Sequence, residues 1–376
     1  MTQKIKKLRI AMAGWWTWGH VFPIKSILDF LSIHKQYSQH IQNIYWFGSK
    51  NSLEQKVCYD VQSTDIDIQL GFIPICSWKY RRESYRKSKL KNIVDFFLFI
   101  YWCMQSVVYL LYYRIDVVFC KWGYVALPIV LAASLLHKKI IVHESDTHPG
   151  LVNKIASRFA KKVFTGFNGV LSHGQTIGQI ISNDIVVDVS PQYNPRTQIL
   201  VVWWSQGSKR LYQNVLHILE FSKELLSDVD FFVVLWLLNK EMTPLFDKFP
   251  NVKVYSFLSQ KEMGVLYATC DIAITRGGTT SLAEQKLYDI KQIIVPIPRT
   301  HDQYDNAHWY VKHYNDIFIN QRDHNFESQL ENAIKHFKWF KKPIQKKDKK
   351  AIIEEAKKIV RDALLGISGE ATKEIS

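Results

Sequence analysis

Short apolar runs alternate with longer amphipathic segments along the whole chain. An apolar run followed by a turn and then by a helical pattern is typical of a βαβ unit, whose strands are parallel and buried on both faces. The strands predicted in this way are Leu8–Ala13, Ile44–Phe47, Asp116–Cys120, Lys139–Val142, Gln198–Val202, Asp230–Leu235, Val252–Tyr255, Ile272–Thr275 and Gln292–Val295. The alternation therefore predicts an α/β protein with parallel sheets.

The strands form two series, which are separated by a stretch rich in proline and asparagine at residues 190–195. A length of 376 residues exceeds one ordinary domain, and 47% hydrophobic against 22% charged residues can fill more than one core. We therefore predict two α/β domains, residues 1–190 and 191–345. A C-terminal helix and tail, residues 346–376, are expected to pack back on the first domain. The composition excludes a disordered or fibrous chain.

The formal net charge of +15 favours an anionic partner. Nucleic acid is the weakest candidate because no base-reading element is recognisable. A basic stretch, Lys79–Lys91, precedes an apolar segment, Ile93–Tyr113, that is nearly long enough to span a bilayer but is interrupted by Asp95, Gln105 and Ser106. A basic patch beside an apolar helix favours contact with an anionic membrane surface. A buried helix beside a solvated loop is the alternative.

The five cysteines are widely spaced, with no C-x-x-C pair and no histidine at metal-ligand spacing. They are typical of buried thiols in a reducing cytoplasm, and we expect no metal site. The first residues are basic but include neither the apolar core nor the cleavage site of a signal peptide, so we expect a chain that is not exported.

Three loops that follow predicted strands have features of phosphate binding. The first is Gly14–His20, before a helix expected to start near Pro23, and the second is Trp203–Ser208. The third, Thr275–Glu284, places two glycines and three hydroxyl groups at a predicted helix start, with Glu284 one turn inside. Backbone N–H groups at a helix start suit a diphosphate, and a carboxylate suits ribose hydroxyls.

Tryptophan stands in the first two of these loops where a phosphate-binding turn needs glycine. An indole adopts positive φ only at a cost and fills the volume that a phosphate needs. The chain has 12 tryptophans and 16 glycines, whereas an average usage of about 7% gives roughly 26 glycines. As written, these two loops would bind a nucleotide poorly.

Six motifs follow one another along nearly the whole chain. They are Gly14–His20, similar to G-G-T-G-G-H; Lys121–Val125, similar to K-G-G-Y-V; His143–Asp146, similar to H-E-x-N/D; Trp203–Ser208, similar to G-G-S-Q-G-S; Arg276–Glu284, similar to R-x-G-x-x-T-x-x-E; and His301–Ala307, similar to D-x-Q-x-x-N-A. Together they resemble the MurG family, the membrane-associated glycosyltransferases of peptidoglycan synthesis. Six ordered motifs are far more specific than any single glycine pattern.

The resemblance implies a GT-B fold, in which two Rossmann-like domains face a cleft, and an inverting hexosyltransferase that needs no metal or other cofactor. In that family GlcNAc moves from UDP-GlcNAc to the muramyl 4-hydroxyl of lipid I, which gives lipid II and UDP for cell wall synthesis. The first domain would bind lipid I and lie on the anionic inner face of the cell membrane as a peripheral protein. The second domain would bind UDP-GlcNAc, and nucleic acid would not be a partner.

The same resemblance assigns the substrate contacts. The residues expected to bind UDP-GlcNAc are Thr17, Trp18, Gly19, Asp146, Ser205, Leu258, Thr279, Thr280, Ser281, Leu282, Ala283, Glu284 and Gln303. Among them, Leu258 would lie near the uracil, Glu284 on the ribose and Gln303 on the sugar. Ser205 and the helix start at Thr279 would hold the diphosphate. The positions from Thr17 to His20 would face the cleft from the acceptor side, and Asp146 would reach the sugar.

His20 is the residue expected to act as general base, since a histidine pKa lies near neutrality. A histidine that caps the first helix is the structural alternative. For Glu284 the alternative is a capping carboxylate at its helix start, which would still allow ribose binding. For Gln303 the alternative is hydrogen bonding within its own loop.

Two departures from the family pattern concern the site. The family carries a G-N-P-x-R-like segment with an arginine near the nucleotide, and the corresponding stretch here, Ser172–Gly178, has no arginine. No other residue can be assigned that role. Asp146 replaces the commoner asparagine, which keeps a sugar contact plausible.

Nine tryptophans stand where the family tends to have glycine. They are Trp15, Trp16, Trp18, Trp78, Trp102, Trp122, Trp203, Trp204 and Trp236. Adding nine to the 16 glycines gives 25, close to the roughly 26 of average usage. We hypothesise that these codons are UGA read as glycine in the source organism, and that Trp46, Trp309 and Trp339 are genuine. If all are genuine, the chain is a catalytically impaired GT-B binding protein; a related lipid glycosyltransferase is the other alternative.

Overall fold

A computed structural model describes residues 7–14, 18–63, 68–75, 86–121, 123, 125–189, 194–203, 209–222, 227–298, 300–343 and 347–367. The side chains of Trp18, residues 86–96 and His301 lie outside this description. The chain divides into two compact units, Met1–Ile180 with Ile353–Ser376, and Ile181–Ile352.

In the described residues, the first unit contains one seven-stranded parallel sheet with the order β3-β2-β1-β4-β5-β6-β7. Its elements are β1 (Leu8–Ala13), α1 (Trp18–Ile33), α2 (Lys35–Ser38), β2 (Ile41–Gly48), α3 (Leu53–Gln62), β3 (Gln69–Pro74), α4 (Arg86–Tyr112), β4 (Val117–Cys120), α5 (Ala126–Leu135), β5 (Lys139–Glu144), α6 (Leu151–Ser157), β6 (Lys162–Thr165) and β7 (Gln175–Thr176). The order reverses between β1 and β4, and loops at such a reversal point form ligand sites in open α/β sheets.

The second unit has, in its described part, a six-stranded parallel sheet with the order β10-β9-β8-β11-β12-β13. Its elements are β8 (Thr197–Val202), α7 (Lys209–Phe221), β9 (Val229–Val234), α8 (Thr243–Phe246), β10 (Val252–Tyr255), α9 (Gln260–Thr269), β11 (Ile272–Thr275), α10 (Thr279–Leu287), β12 (Lys291–Ile294), α11 (His301–Tyr314), β13 (Ile317–Phe318) and α12 (Phe326–Phe337), with 3₁₀ helices at Asn183–Ile185 and Leu237–Met242. This sheet reverses between β8 and β11.

The last helix, α13 (Lys349–Leu365), belongs to the first unit from Ile353 onward. Its residues Ala356, Val360 and Leu364 are buried in the same core as Ile10 of β1 and Ile44 of β2. Burial of an apolar stripe at helical spacing holds this helix on the unit.

All nine strands predicted from the apolar runs are present, with ends that differ from the predicted ones by at most a few residues. The prediction missed β3, which has six residues, and the shorter strands β6, β7 and β13. The first helix was placed wrongly: α1 begins at Trp18 rather than near Pro23, which lies inside it. Proline is tolerated there at the cost of one hydrogen bond, since it has no N–H to donate to the Gly19 carbonyl.

Helix α4 has one buried and one exposed apolar face. Trp102, Ser106 and Leu110 face inward, and the outward stripe consists of side chains that are each at least 60% exposed: Phe97, Tyr101, Met104, Val108 and Tyr112. Among the residues that the structure describes, no helix meets the length and hydropathy needed to cross a bilayer. The basic stretch Lys79–Lys91 lies outside the described side chains.

Candidate active site

The carboxyl ends of β1, β4 and β5 bring three sequence motifs of the first unit together. β1 pairs with β4 and β4 with β5 in parallel register, so Gly14, Lys121 and His143 follow or end adjacent strands. The Lys121 N–H donates to the Ala13 carbonyl at 2.8 Å. Gly14 is packed so closely that a Cβ atom there would lie 2.9 Å from the His20 carbonyl oxygen. Only glycine fits this contact without a backbone shift.

A chain of hydrogen bonds crosses the buried part of this edge. Lys121 Nζ lies 2.9 Å from His143 Nδ1, and His143 Nε2 lies 3.0 Å from the Gly178 carbonyl oxygen. Both side chains are fully buried. Burial and the neighbouring Lys121 charge lower the pKa of His143 well below its ordinary value. The histidine is therefore neutral.

Glu144 organises the loop that contains Asp146. Its carboxylate accepts hydrogen bonds from the backbone N–H groups of Asp146 at 2.9 Å and Gly150 at 3.0 Å, and from Asn153 Nδ2 at 3.0 Å. Three donors satisfy the hydrogen-bonding capacity of this buried carboxyl group. Glu144 is thus a structural anchor, and Asp146 is the half-buried acid that it positions.

His20 lies in the first turns of α1 and is half-buried. Burial and the Lys121 charge lower its pKa to about 3. The sequence-based expectation of a pKa near neutrality is therefore wrong, because desolvation disfavours the imidazolium form. His20 is neutral at physiological pH and can accept a proton, although with low proton affinity.

The second unit places the third predicted loop at the start of α10. Gly278 precedes the helix, and no atom lies within 4 Å of a Cβ built there, so the space beside the helix start is open at this residue. Thr280 and Ser281 are half-buried, whereas Leu282 is fully buried in the core. Only the backbone of Leu282 can therefore take part in a site at this helix start.

Glu284 lies one turn further along α10 and is buried. Burial raises its pKa to about 8, and a hydrogen bond from Tyr267 partly opposes this shift. A carboxyl group with such a pKa is mostly protonated at neutral pH and ionises readily when donors approach it.

Helix α11 packs against the Gly277–Gly278 turn. A Cβ atom on Gly277 would lie 2.4 Å from the Gln303 carbonyl oxygen, and Asn306 Nδ2 donates to the Gly277 carbonyl at 3.2 Å. The Gln303 side-chain oxygen accepts a hydrogen bond from the Ile297 N–H at 3.0 Å. This contact fixes the orientation of the amide, so the N–H₂ group is the end of the side chain that can donate to a ligand.

The remaining predicted site residues divide into two groups. Leu258 is buried just before α9, and Gly19 is half-buried in the first turn of α1. Thr17, Ser205 and the side chain of Trp18 lie outside the described residues.

Two charged residues gained importance only from the structure. Lys121 was part of a motif but had no assigned role. Arg276 donates through Nη1 to the Val295 and Pro296 carbonyls and to Gln321, at 2.9, 3.1 and 2.8 Å, and burial lowers its pKa to about 10. It remains a cation that fixes the loop before α10. A basic residue directly after an all-apolar strand is the signal that could have identified Lys121 in the sequence.

Among the residues that the structure describes, no group of three or more histidine, cysteine, aspartate and glutamate side chains is placed to hold a metal ion.

Two Rossmann-like units, each with its motif loops at the carboxyl ends of parallel strands, form an α/β fold of the GT-B type. The crystal structure of MurG from Acinetobacter baumannii has the same fold, with a TM-score of 0.71 at 21% sequence identity, covering 96% of this chain and 100% of that chain. At this identity the likeness shows the fold alone.

Matches of the sequence to two family models identify the family of this chain. The glycosyltransferase family 28 N-terminal domain matches residues 10–165, and the family 28 C-terminal domain matches residues 198–363. The chain belongs to glycosyltransferase family 28 and is a hexosyltransferase.

Two relatives of similar length have the same protein name. The UDP-N-acetylglucosamine–N-acetylmuramyl-(pentapeptide) pyrophosphoryl-undecaprenol N-acetylglucosamine transferase of Lachnospira eligens is 28% identical over 338 residues, which are 86% of this chain and 89% of the relative. The protein of that name from Staphylococcus aureus strain JH9 is 30% identical over 318 residues, 81% of this chain and 83% of the relative.

Proposed function

We propose that this chain transfers GlcNAc from UDP-GlcNAc to lipid I, with inversion at the anomeric carbon, and so forms lipid II for peptidoglycan synthesis. The observation that carries the proposal is the start of α10, where open space beside Gly278 and the buried, ionisable Glu284 occur in a chain that matches both family 28 domains. The names of the full-length relatives supply the substrates.

The donor binds to the second unit in this proposal. The diphosphate lies at the first turn of α10, where N–H groups and the helix dipole favour negative charge. Glu284 accepts the ribose hydroxyls, Gln303 donates its amide to the sugar, and Leu258 lies near the uracil. Ser205 and the first-unit residues Thr17, Trp18, Gly19 and Asp146 complete the substrate contacts.

His20 is the general base. The muramyl 4-hydroxyl oxygen attacks the anomeric carbon and forms the new C–O bond while its proton passes to the neutral imidazole. The bond between the anomeric carbon and the phosphate oxygen breaks, and UDP leaves with the electron pair. A single displacement of this kind inverts the anomeric configuration and requires no metal or cofactor.

Glycine at the nine tryptophan positions is part of the proposal, because the first two loops must accept phosphate. The backbone at Trp236 supports it: φ of 56° and ψ of 167° lie in a region that is essentially restricted to glycine. The codons in the source gene test it. UGA at the nine positions and UGG at Trp46, Trp309 and Trp339 are expected, and UGG throughout would contradict the reassignment.

The transfer assay uses protein with glycine at the nine positions and measures incorporation of labelled GlcNAc into a short-chain lipid I analogue. We expect transfer to this acceptor and none to diacylglycerol, and we expect His20→Gln and Glu284→Gln to lose most of the activity. Transfer to diacylglycerol instead would indicate the related lipid glycosyltransferase. Donor binding without transfer to either acceptor would indicate a binding protein.

The exposed stripe of α4 is the proposed contact with the anionic inner face of the cell membrane. Its five large apolar side chains lie on one face of the helix that begins, at Arg86, within the basic stretch Lys79–Lys91. Basic side chains beside an exposed apolar face attach proteins to anionic membrane surfaces.

Co-sedimentation with phosphatidylglycerol vesicles tests this contact. The double variant Tyr101→Glu, Met104→Glu should lose most vesicle binding, whereas Phe221→Glu, which changes an exposed aromatic residue of the second unit, should bind normally. If the double variant bound vesicles as well as Phe221→Glu does, the α4 stripe would be excluded as the attachment surface.

A further inference from the structure

The Arg276 side chain joins three loops that follow adjacent strands of the second sheet. Arg276 itself follows β11, and its Nη1 group donates to the Val295 and Pro296 carbonyls at 2.9 and 3.1 Å and to the Gln321 side-chain oxygen at 2.8 Å. Val295 and Pro296 follow β12, and Gln321 follows β13. Because β12 lies between β11 and β13, one guanidinium group spans the carboxyl ends of all three strands.

The middle loop is also the one that orients Gln303. The Pro296 carbonyl, which accepts from Arg276, and the Ile297 N–H, which donates to the Gln303 side-chain oxygen at 3.0 Å, belong to the same peptide unit. A peptide unit is planar, so a contact that holds its oxygen also fixes the direction of its N–H. Hydrogen bonds at both ends of one peptide also polarise and strengthen each other. Arg276 is therefore linked to the Gln303 amide through a single rigid group.

The main chain of α11 has separate attachments to the turn before α10. Asn306 donates to the Gly277 carbonyl at 3.2 Å, and the Gln303 backbone is in close contact with Gly277. These contacts hold the helix in place independently of the Arg276 side chain. A change at Arg276 should therefore affect the direction of the Gln303 amide more than the position of α11.

We infer that Arg276 is a positioning residue for the sugar of UDP-GlcNAc: it holds the peptide unit between Pro296 and Ile297, which aims the Gln303 amide at the sugar. The inference rests on the proposed function, since that places the sugar at Gln303. UDP lacks the sugar, so Arg276 should contribute to the binding of UDP-GlcNAc and much less to the binding of UDP.

Calorimetric dissociation constants for UDP and UDP-GlcNAc test the inference in a parent protein with glycine at the nine tryptophan positions. Arg276→Lys keeps the positive charge but loses the planar fork that reaches several acceptors. It should weaken UDP-GlcNAc binding about tenfold, the equivalent of one hydrogen bond, and leave UDP binding nearly unchanged. Gln321→Leu removes only the side-chain acceptor and should change the ratio of the two constants in the same direction by a smaller factor. This variant decides the question if Arg276→Lys does not fold.

A double-mutant cycle with Gln303→Leu separates positioning from direct contact with the ligand. Gln303→Leu alone should also weaken UDP-GlcNAc binding about tenfold. When Arg276→Lys is added to Gln303→Leu, no further loss is expected, because the amide that Arg276 positions is already absent. Additive losses would show that Arg276 acts on the ligand by another route and would overturn the inference. An unchanged ratio in both Arg276→Lys and Gln321→Leu would also overturn it and would leave the proposed transferase function intact.

Arg361→Lys is the matched control, because it makes the same substitution at a buried arginine of the first unit that pairs with Asp362. It should leave both dissociation constants unchanged. If the parent protein bound UDP but not UDP-GlcNAc, or if Gln303→Leu bound UDP-GlcNAc as tightly as the parent, the proposed sugar site itself would be refuted and the inference with it.

Discussion

At the scale of single residues, burial decides the chemistry of the candidate site. His20, Glu284 and Lys121 all have pKa values displaced by desolvation, to about 3, about 8 and about 8. Each shift favours the uncharged form of the group. His20 and Glu284, the proposed base and ribose acceptor, are therefore mostly uncharged at neutral pH before substrates arrive.

The raised pKa of Glu284 predicts that a proton is released when UDP binds. Its pKa of about 8 means that the carboxyl group is mostly protonated at pH 7, and ribose hydroxyls that donate to it favour the ionised form. Calorimetry of UDP binding at pH 7 in two buffers with different ionisation enthalpies should show release of most of one proton. The release should vanish well above pH 8, where Glu284 is already ionised.

The control for this prediction is Glu284→Gln, which cannot release a proton and should bind UDP about tenfold more weakly. Binding heats that are independent of the buffer at pH 7 in the unchanged protein would show that Glu284 does not ionise when UDP binds.

The positive φ at Trp236 predicts that glycine at this position stabilises the fold. Its positive φ costs free energy that glycine does not pay, so Trp236→Gly should raise the free energy of unfolding by about 1 kcal/mol in guanidinium titrations. Trp309→Gly, in the interior of α11, should instead lower it by about 1 kcal/mol or more. Equal losses for both variants would argue that tryptophan is the proper residue at position 236.

At the scale of secondary structure elements, the proposed UDP-GlcNAc site depends on the packing of α11 against the turn before α10. Two adjacent glycines have opposite surroundings there: Gly277 is pressed against the Gln303 backbone, whereas Gly278 faces open space. The first glycine serves the fold, and the second leaves room for a ligand.

This difference predicts separable effects of two alanine substitutions. Gly277→Ala should lower the free energy of unfolding by about 1–3 kcal/mol, since a Cβ atom 2.4 Å from a carbonyl oxygen forces the backbone to shift. Gly278→Ala should leave stability nearly unchanged but weaken UDP binding, because its methyl group enters the proposed diphosphate position. Denaturant titration and UDP calorimetry on both variants check the pair, and normal UDP binding by Gly278→Ala would move the diphosphate elsewhere.

At the scale of the whole molecule, the segments at both ends of the second unit are held at one turn, Tyr288–Asp289, directly after α10. The Tyr288 hydroxyl donates to the Ile185 carbonyl at 2.7 Å and accepts from the Val187 N–H at 3.1 Å. On the other side, Lys347 pairs with Asp289, and Lys349 lies 4.9 Å from the centre of the Tyr288 ring. The helix that is proposed to bind the donor therefore also anchors the chain where it enters and leaves the unit.

Tyr288→Phe should release the entering segment. It leaves the Ile185 carbonyl and the Val187 N–H without their partner, at a cost of about 1–3 kcal/mol. Hydrogen exchange of the Val187 amide should become much faster. Tyr212→Phe, which removes a hydroxyl that donates to the Val234 carbonyl at 2.6 Å, should leave this exchange unchanged. Equal protection of Val187 in both variants would show that other contacts hold the segment.

The sequence by itself determined the class of fold, and it predicted the loops that we propose bind the substrates. Buried parallel strands produce continuous apolar runs, and a phosphate-binding helix start requires glycines and hydroxyls at fixed local spacing, so both features are visible within a few neighbouring residues. Short strands such as β7 and β13, with two residues each, were not predictable, because only pairing with a neighbouring strand defines them.

Only the tertiary structure decided which charges exist in the site. Lys121, His143 and Gly178 are far apart in the sequence, and their hydrogen bonds arise because adjacent strands and a later loop meet at one edge of the sheet. The pKa values of His20 and Glu284 likewise depend on removal of water by residues from distant segments. Desolvation is a property of the packed neighbourhood and not of the local pattern, and for this reason sequence reasoning placed the pKa of His20 near neutrality while the folded chain lowers it to about 3.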